Sequence, residues 1–239
     1  MSTTSYKPKE GMAKVWLVLI LGSLTAFGPL SMDMYLPALP EVANDLQTTT
    51  SLVQASLTAT LLGLGLGQLV FGPYSDIHGR RKPLTITLIG YSIASFLSAF
   101  SPNIYVFIGL RFIQGFTGAA GIVIARASAR DMYSGKDLTK FVALLSLVNG
   151  AAPILAPIFG GIVLEFTTWN GVFHVLGLIG ILMLIGVYCG LPETLPEEKR
   201  SESSVLAVLA TFKGLLRDKV FMGVALTQGF IMASMFAYI

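Results

Sequence analysis

Gly72-Pro73-Tyr74-Ser75-Asp76-Ile77-His78-Gly79-Arg80-Arg81-Lys82-Pro83 separates two long apolar segments, and its charges decide how the chain is read. One carboxylate and three cations stand at close, fixed spacing inside an otherwise greasy sequence. The whole chain has 239 residues, 54% hydrophobic and 12% charged, with a mean hydropathy of +0.73. A soluble domain carries about a quarter charged residues, so this composition belongs in lipid. A helix needs about 20 apolar residues to cross the hydrocarbon layer. On that scale the sequence predicts spans at 14–36, 50–72, 83–101, 104–125, 140–163 and 170–191, with a seventh starting near 220. The quoted stretch is then the connection between the second span and the third.

These apolar runs are of helical length, unlike the alternating segments of about ten residues that build an outer-membrane barrel. The first starts too late and runs too long for a cleaved leader, and Pro37 and Pro40 stand where a small-residue cleavage site would be. Fifteen of the sixteen Lys and Arg fall on one side if the spans alternate. They are Lys7, Lys9 and Lys14; Arg80, Arg81 and Lys82; Arg126, Arg130, Lys136 and Lys140; and Lys199, Arg200, Lys213, Arg217 and Lys219. The opposite connections carry Glu41, Asp45 and Glu165 and no cation. The positive-inside rule therefore predicts a cytoplasmic N-terminus. The net charge of +3 reflects this topology, and no basic face stands apart from the membrane flanks to suggest nucleic acid. The single Cys189 rules out an intrachain disulfide and reads as a small apolar packing residue.

The sixteenth cation, Arg111, lies inside the fourth span, seven residues from its outer end, roughly 10 Å deep at 1.5 Å per residue. A charge at that depth faces a partner or a water-filled cavity. Gln114, Gly115 and Gly118 follow at three, four and seven positions and share its helix face. Asp33, in Pro29-Leu-Ser-Met-Asp33-Met-Tyr35-Leu-Pro37-Ala-Leu-Pro40, is the acid embedded in the first span. Helical spacing puts Gly22, Thr25 and Pro29 on its face. Asp33 and Arg111 both fall in the outer half of the bilayer and read as a charge pair for which a proton or a cationic molecule would compete. His174, toward the outer end of the sixth span, reads as a packing histidine.

The fifth span, Ser146-Leu-Val-Asn149-Gly150-Ala-Ala-Pro153-Ile-Leu-Ala156-Pro157-Ile-Phe-Gly160-Gly161, places two prolines one turn apart. Each removes a backbone donor, and the glycines allow a neighbour to approach. Gly63-Leu-Gly65-Leu-Gly67 matches a nucleotide-loop pattern only in letters. It lies inside an apolar helix without a preceding strand, and with Ser56 and Thr60 it predicts a small-residue packing face. No zinc-ligand spacing and no catalytic Ser/His/Asp or Cys/His set occurs, so the sequence predicts neither a metal site nor an enzyme. Pro192 ends the sixth span, and apolar positions at helical spacing over 203–217 predict an interfacial amphipathic helix.

The Gly72–Lys82 string resembles the loop between the second and third helices of major facilitator superfamily transporters. That motif runs Gly, three residues, Asp, then Gly-Arg-Arg-Lys, and all its positions are filled. Arg111 followed by Gln114-Gly115 is similar to the family's fourth-helix motif. The Pro29–Pro40 string looks like the first-helix signature of the bicyclomycin-resistance and chloramphenicol-efflux branch of its drug:proton antiporters. The fifth span resembles the antiporter motif Gly-Pro, two residues, Gly-Gly, with Ala156 in place of the first Gly, and Pro192-Glu193-Thr194 looks like the family's sixth-helix exit.

The resemblance implies an all-α integral membrane protein of the bacterial inner membrane. It implies a six-helix bundle of two inverted three-helix repeats over 1–192, a cytoplasmic linker over 193–219 and a seventh helix over 220–239. Family members have a second six-helix half, which implies that this chain holds the first half and needs the other as a partner. The implied function is proton-coupled drug efflux, with no cofactor beyond the proton gradient. Asp33, Arg111, Gln114, Tyr35 and Asn149 would serve protons and substrate. Gly72, Asp76, Gly79, Arg80 and Arg81 would form the gating loop, with Asp76 reaching Arg126 or Arg130. Pro153, Pro157, Gly160 and Gly161 would mark the antiporter helix. An exporter of a metabolite such as a sugar or amino acid, or a non-transporting fragment that assembles with another half, remain open alternatives.

Overall fold

The computed structural model describes residues 12–201 and 214–236, so most of the predicted amphipathic segment lies outside the described residues. Among the described residues every regular element is a helix. The chain forms two compact units, Met1–Arg200 and Ser201–Ile239. The first contains α1 (Met12–Thr25), α2 (Phe27–Asp33), α3 (Leu39–Asp45), α4 (Thr50–His78), α5 (Arg81–Ala99), α6 (Ile104–Met132), α7 (Gly135–Phe166) and α8 (Trp169–Gly190). The second contains α9 (Lys219–Phe236), where the seventh apolar run was expected.

The predicted first span is not one straight helix. It breaks at Ala26, and its two parts, Val15–Thr25 and Phe27–Asp45, meet at a 45° bend. Pro29 supplies the cause: it has no N–H to continue the α1 ladder onto the Thr25 carbonyl, but it is tolerated in the first turn of a new helix. The Thr25 hydroxyl turns back onto the Gly22 carbonyl at 2.7 Å. The bend therefore undoes the expectation that Gly22 and Thr25 share a face with Asp33.

By length and composition α4, α6, α7 and α8 can each cross a membrane, as can the bent pair. The third predicted span, α5, is less apolar over its length, because it begins with Arg81 and Lys82 and carries Thr85, Thr87, Ser92, Ser95 and Ser98. Each of these hydroxyls donates to the carbonyl four residues back, at 2.7–2.9 Å, so the helix brings few unsatisfied donors into the bundle.

The packing is inverted relative to a soluble protein. Buried positions include Ser56, Thr60, Ser95, Ser98, Arg111, Gln114 and Ser128, whereas Leu62, Leu66, Leu69, Ile86, Ile93, Ile154, Ile158, Leu182 and Ile185 face outward. In lipid there is no hydrophobic drive between helices, so small residues and polar contacts hold the bundle together. The α4–α6 seam shows this directly. A Cβ on Gly63 or Gly67 would stand 2.3 Å from the carbonyl oxygens of Phe112 or Phe116, and one on Gly115 would stand 2.2 Å from that of Thr60. The glycine pattern of α4 is thus a packing face, as its apolar setting predicted.

The end of the bundle opposite the Gly72–Pro83 connection is tied by polar caps. Thr49 caps α4 and Asn103 caps α6, each accepting from the first backbone N–H groups of its helix. On the end predicted to be outward, the Glu41 carboxylate accepts the Trp169 backbone N–H at 3.1 Å and Asp45 accepts its indole N–H at 2.8 Å. The α3 segment is thereby clasped to the first turn of α8. Asn170 donates to the Ala99 carbonyl and joins α5 to the same corner.

Candidate functional site

The buried polar groups of the bundle converge on Arg111. Its side chain is fully buried on α6, where neighbouring Gly115 and Gly118 keep the interhelical distance short. The guanidinium carbon lies 4.9 Å from the centre of the Tyr35 ring and 5.4 Å from that of Phe173, a cation held against two π faces. Nη1 donates to the Gln114 side-chain oxygen. Gln114 Nε2 passes the chain on to Ser95 Oγ at 2.7 Å, and Ser95 donates to the Tyr91 carbonyl. The Tyr91 hydroxyl lies 2.7 Å from Ser31 Oγ, and the Tyr35 hydroxyl 3.3 Å from Ser56 Oγ. Arg111 Nε and Nη2 make no hydrogen bond to the described residues.

Asp33 ends α2 and is 8% exposed. It makes no ion pair with Arg111, and the expected pair is not formed in this structure; the ion pairs among the described residues involve Arg80 and Arg200 only. The bend at Ala26 reorients the outer part of the first span, and Arg111 turns toward the aromatic rings and Gln114 instead. His174 packs with Phe96 and Phe100 and lies 2.9 Å from the Asn170 carbonyl, in keeping with a packing role. Asn149 stands elsewhere, lining a cavity of about 140 Å³ with Thr25, Arg126, Val142, Leu145, Ser146 and Gly150. On α7, which runs through Pro153 and Pro157 without a break, a Cβ on Gly160 would meet the Met34 carbonyl oxygen at 2.1 Å, while Gly161 has open space. Only the first of these two glycines is required by packing.

The loop that opened the sequence reading forms a compact charged knot. Asp76, on the last turns of α4, pairs with Arg80 four residues on. The sequence expectation that it reaches Arg126 or Arg130 is not met. Arg80 instead forks onto Asp131 of α6, Nε to Oδ2 at 2.8 Å and Nη2 to Oδ1 at 3.4 Å, the bidentate geometry that makes such pairs strong. Arg80 also donates to Ser75 Oγ at 2.8 Å, and Thr194 donates to Asp131 at 3.1 Å. Burial opposes the charge on Arg80, but its hydrogen bonds to the Asp131 and Asp76 carboxylates and their negative charge outweigh it and hold the guanidinium protonated above its usual range. The Glu193 carboxylate accepts the backbone N–H of Arg80 at 2.8 Å and of Arg81 at 3.1 Å. It caps the positive end of α5 from the exit of α8. Arg81 donates to the Tyr188 carbonyl, with its guanidinium carbon 5.0 Å above the Tyr188 ring.

Gly79 lies at the centre of this knot with φ +84°. A Cβ there would stand 2.7 Å from Glu193 Oε2, so both the backbone and the space require glycine. Asp131, Glu193 and Ser75 escaped the sequence reading as members of this set. Asp131 carries a usable signal, since it is the acid flanked by cations at the inner end of the fourth span; Glu193 was noted only as part of a helix exit.

The sequence profile of the Major Facilitator Superfamily matches residues 21–239. The chain belongs to the major facilitator superfamily. It is 48% identical over 231 residues to the uncharacterized MFS-type transporter YdgK of Bacillus subtilis, covering 96% of this chain and 58% of that one. It is 33% identical over 222 residues to a bicyclomycin resistance protein homolog of Haemophilus influenzae, covering 93% and 56%. The chain therefore spans little more than half the length of these curated relatives. Among solved structures, the human organic anion transporter MFSD10 superimposes with a TM-score of 0.65 at 20% identity, over 81% of this chain and 51% of that one, which establishes the fold. The sequence resemblance is thus borne out, both for the family and for its drug-resistance members, and the chain is a multi-pass membrane protein.

Proposed function

We propose that this chain is the N-terminal six-helix part of a proton-coupled multidrug exporter, working as a drug:proton antiporter with a second helical half. The observation that carries the reading is Asp33, a carboxyl buried at the outer part of a broken transmembrane helix with no cation bound to it. A titratable group held in that way exchanges a proton without first breaking a salt bridge, which is what antiport asks of it. The relative named for bicyclomycin resistance supports a drug as the other substrate, and the share of its length that is matched supports a partner half. In this reading Arg111 and Gln114 form the polar interior beside Asp33, with Tyr35 stacked on the cation. The Asp76–Arg80–Asp131 knot holds the cytoplasmic side, with Gly72 at the last turns of α4 and Arg81 at the start of α5. Gly160, with Pro153 and Pro157 on the same helix, fits α7 against the first span.

The test is reconstitution. The chain is joined to the second half of its Bacillus subtilis relative, placed in proteoliposomes and given an inward-directed pH gradient. Bicyclomycin should move against its own gradient, faster than in empty vesicles. Movement no faster than in empty vesicles, for this drug and a panel of others, would refute the antiporter reading.

Orientation is part of the proposal, with the N-terminus on the cytoplasmic side of the inner membrane. In a Cys189→Ser background, a cysteine introduced at Thr167 should react with an impermeant maleimide in intact cells. Cysteines at His78 and Lys136 should react only after the cells are opened. Labelling at position 78 from outside would reverse the assignment.

A further inference from the structure

We propose that Arg126, Ser146 and Asn149, with Thr25, form a subsite that binds the carboxylate end of a small molecule. The proposal rests on the transporter reading above and adds a chemical class of substrate to it. The cavity lies between α1, α6 and α7, and its volume of about 140 Å³ is lined by Thr25, Arg126, Val142, Leu145, Ser146, Asn149 and Gly150. That is the room of roughly four or five waters at about 30 Å³ each. It suits a charged head and its first neighbouring atoms, since drug-sized molecules need pockets from about 300 Å³ upward.

The charge of the lining is one-sided. Arg126 makes no ion pair among the described residues, and no carboxylate lines the cavity. Neither Arg126 nor Ser146 nor Asn149 is engaged in a side-chain hydrogen bond to another described residue. A guanidinium offers five N–H donors, an amide two and a serine hydroxyl one. Thr25, the remaining polar member, has already given its hydrogen to the Gly22 carbonyl. The oxygens of Asn149, Ser146 and Thr25 could accept from an ammonium as well, so the choice of ligand falls to the fixed positive charge of Arg126, which no lining carboxylate offsets and which favours an anion over a cation. A planar carboxylate matches the guanidinium fork in shape and charge.

Depth adds to the case. Asn149 is the fifteenth residue of α7, which places it about 20 Å along a helix of about 48 Å. Arg126 is the twenty-third residue of α6 and approaches from the cytoplasmic end. The polar groups therefore run from the inner rim toward the middle of the bilayer, with Arg126 and Ser146 exposed and Asn149 half-buried. A lipid phosphate offers the same anionic chemistry at the rim but is tied to the surface, so the test separates the two.

The experiment uses the 239-residue chain and two dyes with one ring system and opposite charges, pyrene-1-carboxylate and 1-pyrenylmethylammonium. Their binding is followed by fluorescence, in lipid-free dodecyl maltoside and in phosphatidylglycerol nanodiscs. The carboxylate should bind at least tenfold more tightly than the ammonium in both. Arg126→Ala should abolish that preference, Arg126→Lys should keep part of it, and Asn149→Leu should weaken the carboxylate alone. Arg130→Ala, one turn further on and outside the cavity, should change nothing. Equal binding of the two dyes, an undiminished preference in Arg126→Ala, or an equal loss in Arg130→Ala would overturn the subsite. Loss of the Arg126-dependent carboxylate preference in the phosphatidylglycerol nanodiscs alone would assign Arg126 to lipid phosphate and overturn it as well. The readout needs no transport, so a chain that passes this test and fails the bicyclomycin test keeps the subsite and loses the antiporter reading.

Discussion

Asp33→Asn should reduce pH-gradient-driven drug export to the level of empty vesicles in the completed transporter. The substitution keeps the shape of the side chain at the end of α2 and removes only its ability to exchange a proton. Because Asp33 holds no ion pair with Arg111, no buried cation loses its partner, and the bundle should fold and insert as before. Exchange of labelled for unlabelled drug across the membrane, which needs no net proton movement, should survive. The contrast between lost gradient-driven export and retained exchange separates a proton site from a structural residue. If Asp33→Asn still drives export from the pH gradient at the normal rate, the proton lies elsewhere.

Gly79→Val should be as damaging, by a different route. A β-branched residue forced to φ +84° carries a backbone penalty on the order of 1–3 kcal/mol. Its Cβ would also occupy the place of the Glu193 carboxylate, 2.7 Å away. Glu193 would have to release the two N–H groups at the start of α5, and the Arg80–Asp131 fork beside it would loosen. The expected result is loss of transport with normal membrane insertion and unchanged orientation. Lys82→Ala, which removes an exposed cation from the same loop, should leave transport intact. If Lys82→Ala were as harmful as Gly79→Val, the loop would be a topogenic anchor only.

Much of this was legible in the residues. The apolar runs located α4, α6, α7 and α8, because crossing a bilayer imposes a length and a polarity that few other tasks impose. The spaced charges of the Gly72–Lys82 loop carried the family likeness, and Gly79 carried the turn. The bend at Ala26 was harder to read, although Pro29 was in plain view: a proline can either kink a helix or open a new one, and sequence spacing does not choose between them. That ambiguity spread to Asp33 and Arg111. Their depths could be estimated, but not the rotation that sets whether two side chains meet. The same limit applied to Asp76, whose partner Arg80 was one turn away on its own segment while a more distant cation was expected. Asp131 and Glu193 belong to the knot through contacts 51 and 113 residues apart, and no local pattern encodes those.

The grip of Glu41 and Asp45 on Trp169 bears on how the molecule is made. Glu41 and Asp45 leave the ribosome 128 and 124 residues before Trp169, the residue they grip. At synthesis rates of about 5–20 residues per second, the first span waits on the order of ten seconds for its latch. During that interval the α3 carboxylates stand without their indole, and the insertion machinery holds an unfinished rim. Closure can occur only when the sixth apolar run has presented its first turn. The clasp therefore records the completion of the six-helix bundle, and a nascent chain stalled before Trp169 would carry an open edge at that end.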